Sequence, residues 1–229
     1  YEGAKVVPDA AIARVLEPAI EAVRELKARP TGIVLDTPIR RSGEIESPLG
    51  NLFADAYRQS VPGADVAINN TDGGLRADLP AGALTYGSLF EVMPFDNKLV
   101  ALHLTGAELR RLIRAQIDRG TRVFGLSGAR VLVQCSGASL VVTILRPGGA
   151  AIRDDDHLVV VTTDFLAMAG DAVFTPVIPA KGFTLPDDAP LARDVVAAWL
   201  ERHGGHLRDT ELVDIKNPRW PTAVARCGG

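Results

Sequence analysis

Ile12, Val15, Leu16, Ala19, Ile20, Val23 and Leu26 recur at helical spacing on one face of the segment 8–30. Pro8 and Asp9 suit the start of that helix and Pro30 its end. Pro18 falls inside it, which predicts a kink or two shorter helices. The pattern then changes. TGIVLDTPI (31–39) reads as a strand. SPLGNLFADAYRQS (47–60) reads as a helix, with Ser47 as N-cap, Pro48 at the first position and Leu49, Leu52, Phe53, Ala56 and Tyr57 turned inward. ADVAIN (64–69) is a buried strand running into the glycine-rich NNTDGGLR, and NKLVALHL (97–104) is another strand. TGAELRRLIRAQIDRG (105–120) carries a capping box at Thr105 and Glu108, an apolar face at Leu109, Leu112, Ile113 and Ile117, and a terminating Gly120. ARVLVQC (129–135) and SLVVTIL (139–145) pair as strands, and HLVVVTTD (157–164) is a central one. DDAPLARDVVAAWLERHGG (187–205) is the last helix.

Strands and helices are mixed without strict alternation, and no internal repeat is present. The expectation is an α/β (α+β) fold: a layered domain with a mixed β-sheet flanked by helices, preceded by a linker helix. The division is residues 1–30 as interdomain linker and 31–229 as the domain.

Composition narrows the function classes. The chain has 229 residues, 47% hydrophobic and 23% charged, with net charge −3. That length supports a full core, and the mild acidity argues against a nucleic-acid surface. No apolar run is long enough to span a membrane. The chain begins at Tyr1 with no charged-then-apolar leader, which reads as a processed or excised segment. Cys135 and Cys227 allow one disulfide and no zinc site, and two thiols do not settle the redox compartment.

Candidate chemistry is incomplete. Of the four histidines, His103 lies in a strand, and His203 and His206 flank a Gly-Gly helix exit. Asp155 and His157 have an Asp-x-His spacing, but no second ligand cluster joins them, and a solvated turn before a strand is the better reading. No Gly-x-Ser-x-Gly is present. NNTDGGLR lacks Walker and Rossmann spacing. It is either a plain turn after a strand or a turn presenting a guanidinium to a carboxylate or phosphate. In TTDFLAMAGDAVF (162–174), Phe165 is either a core anchor or a surface aromatic, and Asp171 a turn residue or a ligand.

Four stretches occur in order: ESPLGNLFADAYR, NNTDGGLRADLPAGALTYGSLFEVMPFDNKLVALHLTG, GLSGARV and TTDFLAMAGD. Together they resemble the C-terminal domain of the 5′-nucleotidase and UDP-sugar hydrolase family, over roughly residues 31–220. The resemblance implies a nucleoside-binding domain whose partner, a separate N-terminal metallophosphoesterase domain, holds two divalent metal ions and performs hydrolysis. A linker helix joins the two. No metal or cofactor is then expected on this chain, and the isolated chain is expected to be inactive. The family's aromatic clamp maps onto Phe95 and Phe165, its ribose-binding aspartate onto Asp171, and its Gly-Gly-Ile-Arg arginine onto Arg76. Its second arginine maps onto Arg40 or Arg41, which the spacing does not separate. The family asparagine falls at Thr71, with Asn70 just upstream. Two family glycines are replaced by Ala169 and Ala172. The substrate is thus a nucleotide or nucleoside. Relatives acting on cyclic nucleotides, UDP-sugars or thiosulfonate esters, or a non-enzymatic binding module, are the alternatives. The resemblance also implies a periplasmic, extracellular or cell-surface location, which permits a Cys135–Cys227 disulfide, the alternative being that Cys135 is a buried strand residue.

Overall fold

A computed structural model describes residues 3, 5–42, 45–120, 123–168, 170–178, 185–221 and 227. It opens with α1 (Ala10–Ala28), capped by Asp9, whose carboxylate accepts the Ala11 and Ile12 N–H groups. The helix is continuous through Pro18, in place of the expected kink or pair of helices. No residue of α1 is buried, so the Arg14 carbonyl that loses its partner to Pro18 is left to solvent. Its C-terminal end touches the domain. There the Arg29 carbonyl accepts the Tyr86 N–H, and the Lys27 ammonium lies 5.0 Å from the Phe90 ring centroid.

β1 (Pro30–Leu35) leads to α2 (Pro48–Ser60), with Ser47 as its N-cap. β2 (Val66–Asn70) passes directly into the short α3 (Thr71–Gly74). β3 (Gly82–Thr85) and α4 (Tyr86–Val92) follow, then β4 (Leu99–Thr105) and α5 (Gly106–Arg119) with its Thr105–Glu108 capping box. β5 (Phe124–Ser127) precedes the hairpin of β6 (Arg130–Ser136) and β7 (Ser139–Leu145). β8 (His157–Thr163) runs into α6 (Asp164–Ala167), and α7 (Ala192–His203) leads to β9 (Gly205–Leu207).

Among the described residues the strands form three sheets in place of the one expected. The order β4-β8-β2-β5 is mixed: β8 is parallel to β2 and antiparallel to β4, and β5 is antiparallel to β2. A second sheet has the order β3-β1-β9, and β6-β7 stands alone. α2 packs on β2 and β5 of the first sheet and on α7. Its side chains Leu49, Leu52, Phe53 and Tyr57 are wholly buried in the first core. The second core lies between the four-stranded sheet, α5 and the hairpin, around Ile68, Leu112, Phe124 and Phe174.

Asn51 ties α2 to its surroundings. Its amide donates to Glu46 and to the Leu212 carbonyl, and its oxygen accepts the Leu126 N–H. The C-terminal stretch is anchored by Arg219 on Asp55 and by Trp220 against Phe124. A disulfide joins Cys135 to Cys227, with the Cα atoms 5.4 Å apart.

Candidate functional site

β2, an inner strand of its sheet, ends at Asn70, which caps α3. The Asn70 side-chain oxygen accepts the Gly73 N–H at 3.1 Å. Its amide nitrogen donates to Asp171 Oδ2 at 2.6 Å. Gly73 is required here: a Cβ would sit 2.6 Å from that same Oδ2 and 2.7 Å from the Asn70 nitrogen. Thr71 is structural, buried and donating to the Val123 carbonyl. The side chain facing Asp171 is therefore that of Asn70, one residue upstream of the family position.

The turn ends at Arg76, whose N–H donates to the Val92 carbonyl at 2.7 Å. Its guanidinium carbon lies 5.1 Å from the Phe95 ring centroid, a cation–π arrangement. Arg41 reaches the same turn, donating from Nη1 to the Leu75 carbonyl at 3.1 Å, with its backbone N–H on Asp78. Arg40 is exposed, and its carbonyl accepts the Leu49 N–H.

Phe95 is half-buried and packs against the first core. Its loop is held by Arg193 of α7, whose side chain is 5% exposed. The guanidinium donates to the Met93 and Phe95 carbonyls, to Asp96 and to the Tyr86 hydroxyl. Burial pushes the Tyr86 hydroxyl's pKa up, and its own proton goes to Asp194. A lone arginine in a helix usually reads as part of a solvated face. The signal for Arg193 was its register with Val196, Ala197 and Leu200, the buried face of α7.

Phe165 is 45% exposed, unlike a core anchor, and the inward positions of its turn are taken by Leu166 and Ala167. Gly170 lies beneath it: a Cβ there would come within 2.6 Å of the Phe165 ring and 2.3 Å of its carbonyl oxygen. Asp171 and Ala172 both adopt left-handed backbone, with φ of 53° and 54°. Ala172 thus keeps, at a cost, the conformation a glycine takes freely. Ala169 lies outside the described residues. Arg119, at the end of α5, donates to the Asp171 and Ala172 carbonyls, and Val173 and Phe174 bury the loop's far end. Neither Arg119 nor Asp164 carried a signal in the sequence pattern.

These residues form a closed circuit. Phe95 lies under Arg76, which ends the turn that Asn70 begins. Asn70 binds Asp171, and the adjoining Gly170 underlies Phe165. Asp164, beside Phe165, accepts the N–H of Lys98, three residues past Phe95. Aromatic surface, a carboxylate and cationic groups are thereby linked at one end of the four-stranded sheet, where β2 and β8 end and β4 begins. Such a set can stack a flat ring, bind hydroxyls and attract an anion.

The residues present do not fit a metal centre. Among the described residues, no three His, Cys, Asp or Glu side chains converge as one. Asp155 pairs with Arg153, and Asp156 with Arg146 and Arg153, which holds its carboxyl below the usual range chiefly through the Arg153 N–H.

The fold and sequence have relatives. Over 225 residues the chain is 28% identical to "Endonuclease YhcR" of Bacillus subtilis, covering 93% of this chain and 18% of the relative. Over 171 residues it is 32% identical to "Trifunctional nucleotide phosphoesterase protein YfkN" of the same organism, covering 68% of this chain and 12% of the relative. The crystal structure of a 5′-nucleotidase precursor from Thermus thermophilus superposes with a TM-score of 0.67 at 26% identity, over 87% of this chain and 42% of that one. The chain thus spans less than half the length of each. The family model described as "5'-nucleotidase, C-terminal domain" matches residues 25–177, more than half of the chain, and the chain belongs to that family.

Proposed function

We propose that this chain binds the nucleoside part of a nucleotide substrate, on behalf of a metallophosphoesterase domain in the same protein. The closed circuit of Phe95, Arg76, Asn70, Asp171 and Phe165 carries this reading. In it a base stacks between Phe95 and Phe165, Asp171 accepts the ribose hydroxyls, and Arg76 and Arg41 face the anionic end. Asn70 orients Asp171. Stacking of this kind contributes ~1–3 kcal/mol per base. A carboxylate that meets two adjacent hydroxyls selects ribose.

Hydrolysis, with its two divalent metal ions, is assigned to the other domain, whose sequence lies outside these residues. α1 is the linker to it, residues 1–30 in all, and its exposed apolar stripe is the face turned toward that domain. The Cys135–Cys227 disulfide supports a location outside the cytoplasm.

Calorimetric titration of the chain with adenosine, uridine, cyclic nucleotides and UDP-glucose tests the reading. Saturable nucleoside binding that weakens in Phe165→Ala supports it. Absence of nucleoside binding, or binding indifferent to Phe165→Ala, overturns it. Phosphate release by the isolated chain with Mn²⁺, Co²⁺ or Zn²⁺, abolished in His157→Ala, would return the chemistry to this domain.

A further inference from the structure

Asp164 occupies a position that none of the ligand-facing roles uses. It is the first residue of α6, directly before Phe165. One carboxylate oxygen, Oδ1, accepts two backbone N–H groups: that of Phe165 at 2.7 Å and that of Lys98 at 3.0 Å. The Asp164 N–H in turn donates to the Lys98 carbonyl at 2.8 Å. Residue 98 is therefore gripped at both its N–H and its carbonyl by a single residue of the opposite segment. Lys98 ends the short stretch that begins at Phe95.

The other end of that stretch is fixed independently. Arg193 takes the carbonyls of Met93 and Phe95 and the carboxylate of Asp96. Asn97 and Leu99 are tied to the start of α7 and its lead-in, the Asn97 carbonyl accepting the Ala192 N–H and the Leu99 N–H donating to the Pro190 carbonyl. The Phe95 stretch is thus a rigid strap. Where the β4–β8 ladder ends at Leu99 and Thr163, the Phe165 turn meets this strap through Asp164, by one backbone and one side-chain hydrogen bond among those described.

We infer that Asp164 is a positioning residue that sets the interval between the Phe95 and Phe165 rings. The inference rests on the proposed nucleoside site and assigns what fixes the placement of its two rings relative to each other. The residue touches no ligand. It joins the two backbones from which the stacking rings project. The Phe165 N–H fixes the carboxylate on its own turn, and the Lys98 N–H ties the carboxylate so fixed to the strap, so a shift of one backbone against the other strains the Lys98 bond. Pre-organisation of this sort spares the ligand the ordering of two loops.

The test uses the whole chain and adenosine as probe, read by calorimetry and, for weak variants, by NMR titration. Asp164→Ala should weaken adenosine about fivefold to tenfold. Asp164→Asn, whose amide oxygen still accepts both N–H groups, should stay within about twofold of the unsubstituted chain. In a Phe165→Ala background, Asp164→Ala should add nothing further, because there is no second ring left to position. Should Asp164→Ala not fold, Asp164→Glu replaces it: charge is kept while the oxygen is displaced by one methylene, and the same weakening is expected. Unchanged affinity in the folded Ala or Glu variant, alongside weakening in Phe165→Ala, overturns the inference and leaves the site intact. So does a loss in Asp164→Ala that adds fully to that of Phe165→Ala. If Phe165→Ala itself leaves adenosine binding unchanged, the site reading fails and the inference with it.

Discussion

Asn70 and Asp171, 101 positions apart, meet at 2.6 Å, the amide of one donating to the carboxylate of the other. The bond fastens the loop after α6 to the end of β2, so the carboxylate is held by a buried side chain although its own residue is exposed. Asp171→Asn should therefore leave the loop in place, since an amide oxygen still accepts from Asn70. It should weaken ribonucleosides about tenfold, in line with a charge-assisted hydrogen bond. 2′,3′-Dideoxynucleosides should be little affected, because they lack the diol. Titration with both series checks this, and equal losses would remove Asp171 from ribose recognition.

Two phenylalanines nine residues apart should behave oppositely. Phe174 is fully buried, and Phe174→Ala should cost ~3–5 kcal/mol of stability. Phe165 is nearly half exposed, so Phe165→Ala should cost about 1 kcal/mol of stability. Its effect should fall instead on nucleoside affinity, by ~1–3 kcal/mol. Denaturant unfolding and titration, run side by side, separate the two.

Ala172 sits at a φ of 54°. Ala172→Gly should relieve that backbone and raise stability by ~0.5–1 kcal/mol, the left-handed penalty less the extra freedom glycine has when unfolded. Thermal unfolding measures it. A lowered melting temperature would show that the alanine methyl packs more than the backbone strains.

Glu46 is buried beside Asn51 and the Arg219 N–H, and burial raises its carboxyl pKa above the ordinary 4.5. The folded state then binds that proton more tightly than the unfolded state. The resulting stabilisation is complete below pH 4.5 and is lost as pH rises through the folded value. Glu46→Gln keeps an acceptor for both donors and does not titrate. The stability of Glu46→Gln relative to the unsubstituted chain should therefore improve as pH is raised from about 4 to about 7, by equilibrium denaturation at each pH. A difference that is flat or reversed would mean that Arg219 outweighs burial.

Much of the framework was legible from periodicity. Strong amphipathic or alternating stretches became α2, α5, β4, β7 and β8 close to their expected bounds, and α7 within its expected stretch but starting only at Ala192. β3, β5 and β9, of three or four residues each, were not legible, because such short strands carry too little alternation to register. The division into separate sheets depends on long-range pairing, as where β9 joins β1, which no local pattern encodes. At the proposed site, Phe95, Phe165, Asp171, Arg76, Asn70 and the pair Arg40 and Arg41 were singled out through resemblance. Their supports Asp164, Arg193 and Arg119 were not, since what matters in each is a bond to distant backbone.

Gly50 of α2 and Gly125 of β5 touch backbone to backbone: a Cβ on Gly125 would stand 2.0 Å from the Gly50 carbonyl oxygen, and one on Gly50 would stand 2.0 Å from the Thr71 methyl. Each lies in a stretch by which the family resemblance is recognised, yet neither belongs to the ligand-facing set. Their identity is dictated by clearance alone. Neither position can drift by itself, because any side chain at one demands that helix and strand part, which would also pull the Asn51 oxygen from the Leu126 N–H. No substitution at Gly50 makes room for a side chain at Gly125, because what that side chain would meet is backbone, so a signature sequence in this domain can record the spacing between two elements as faithfully as it records a substrate.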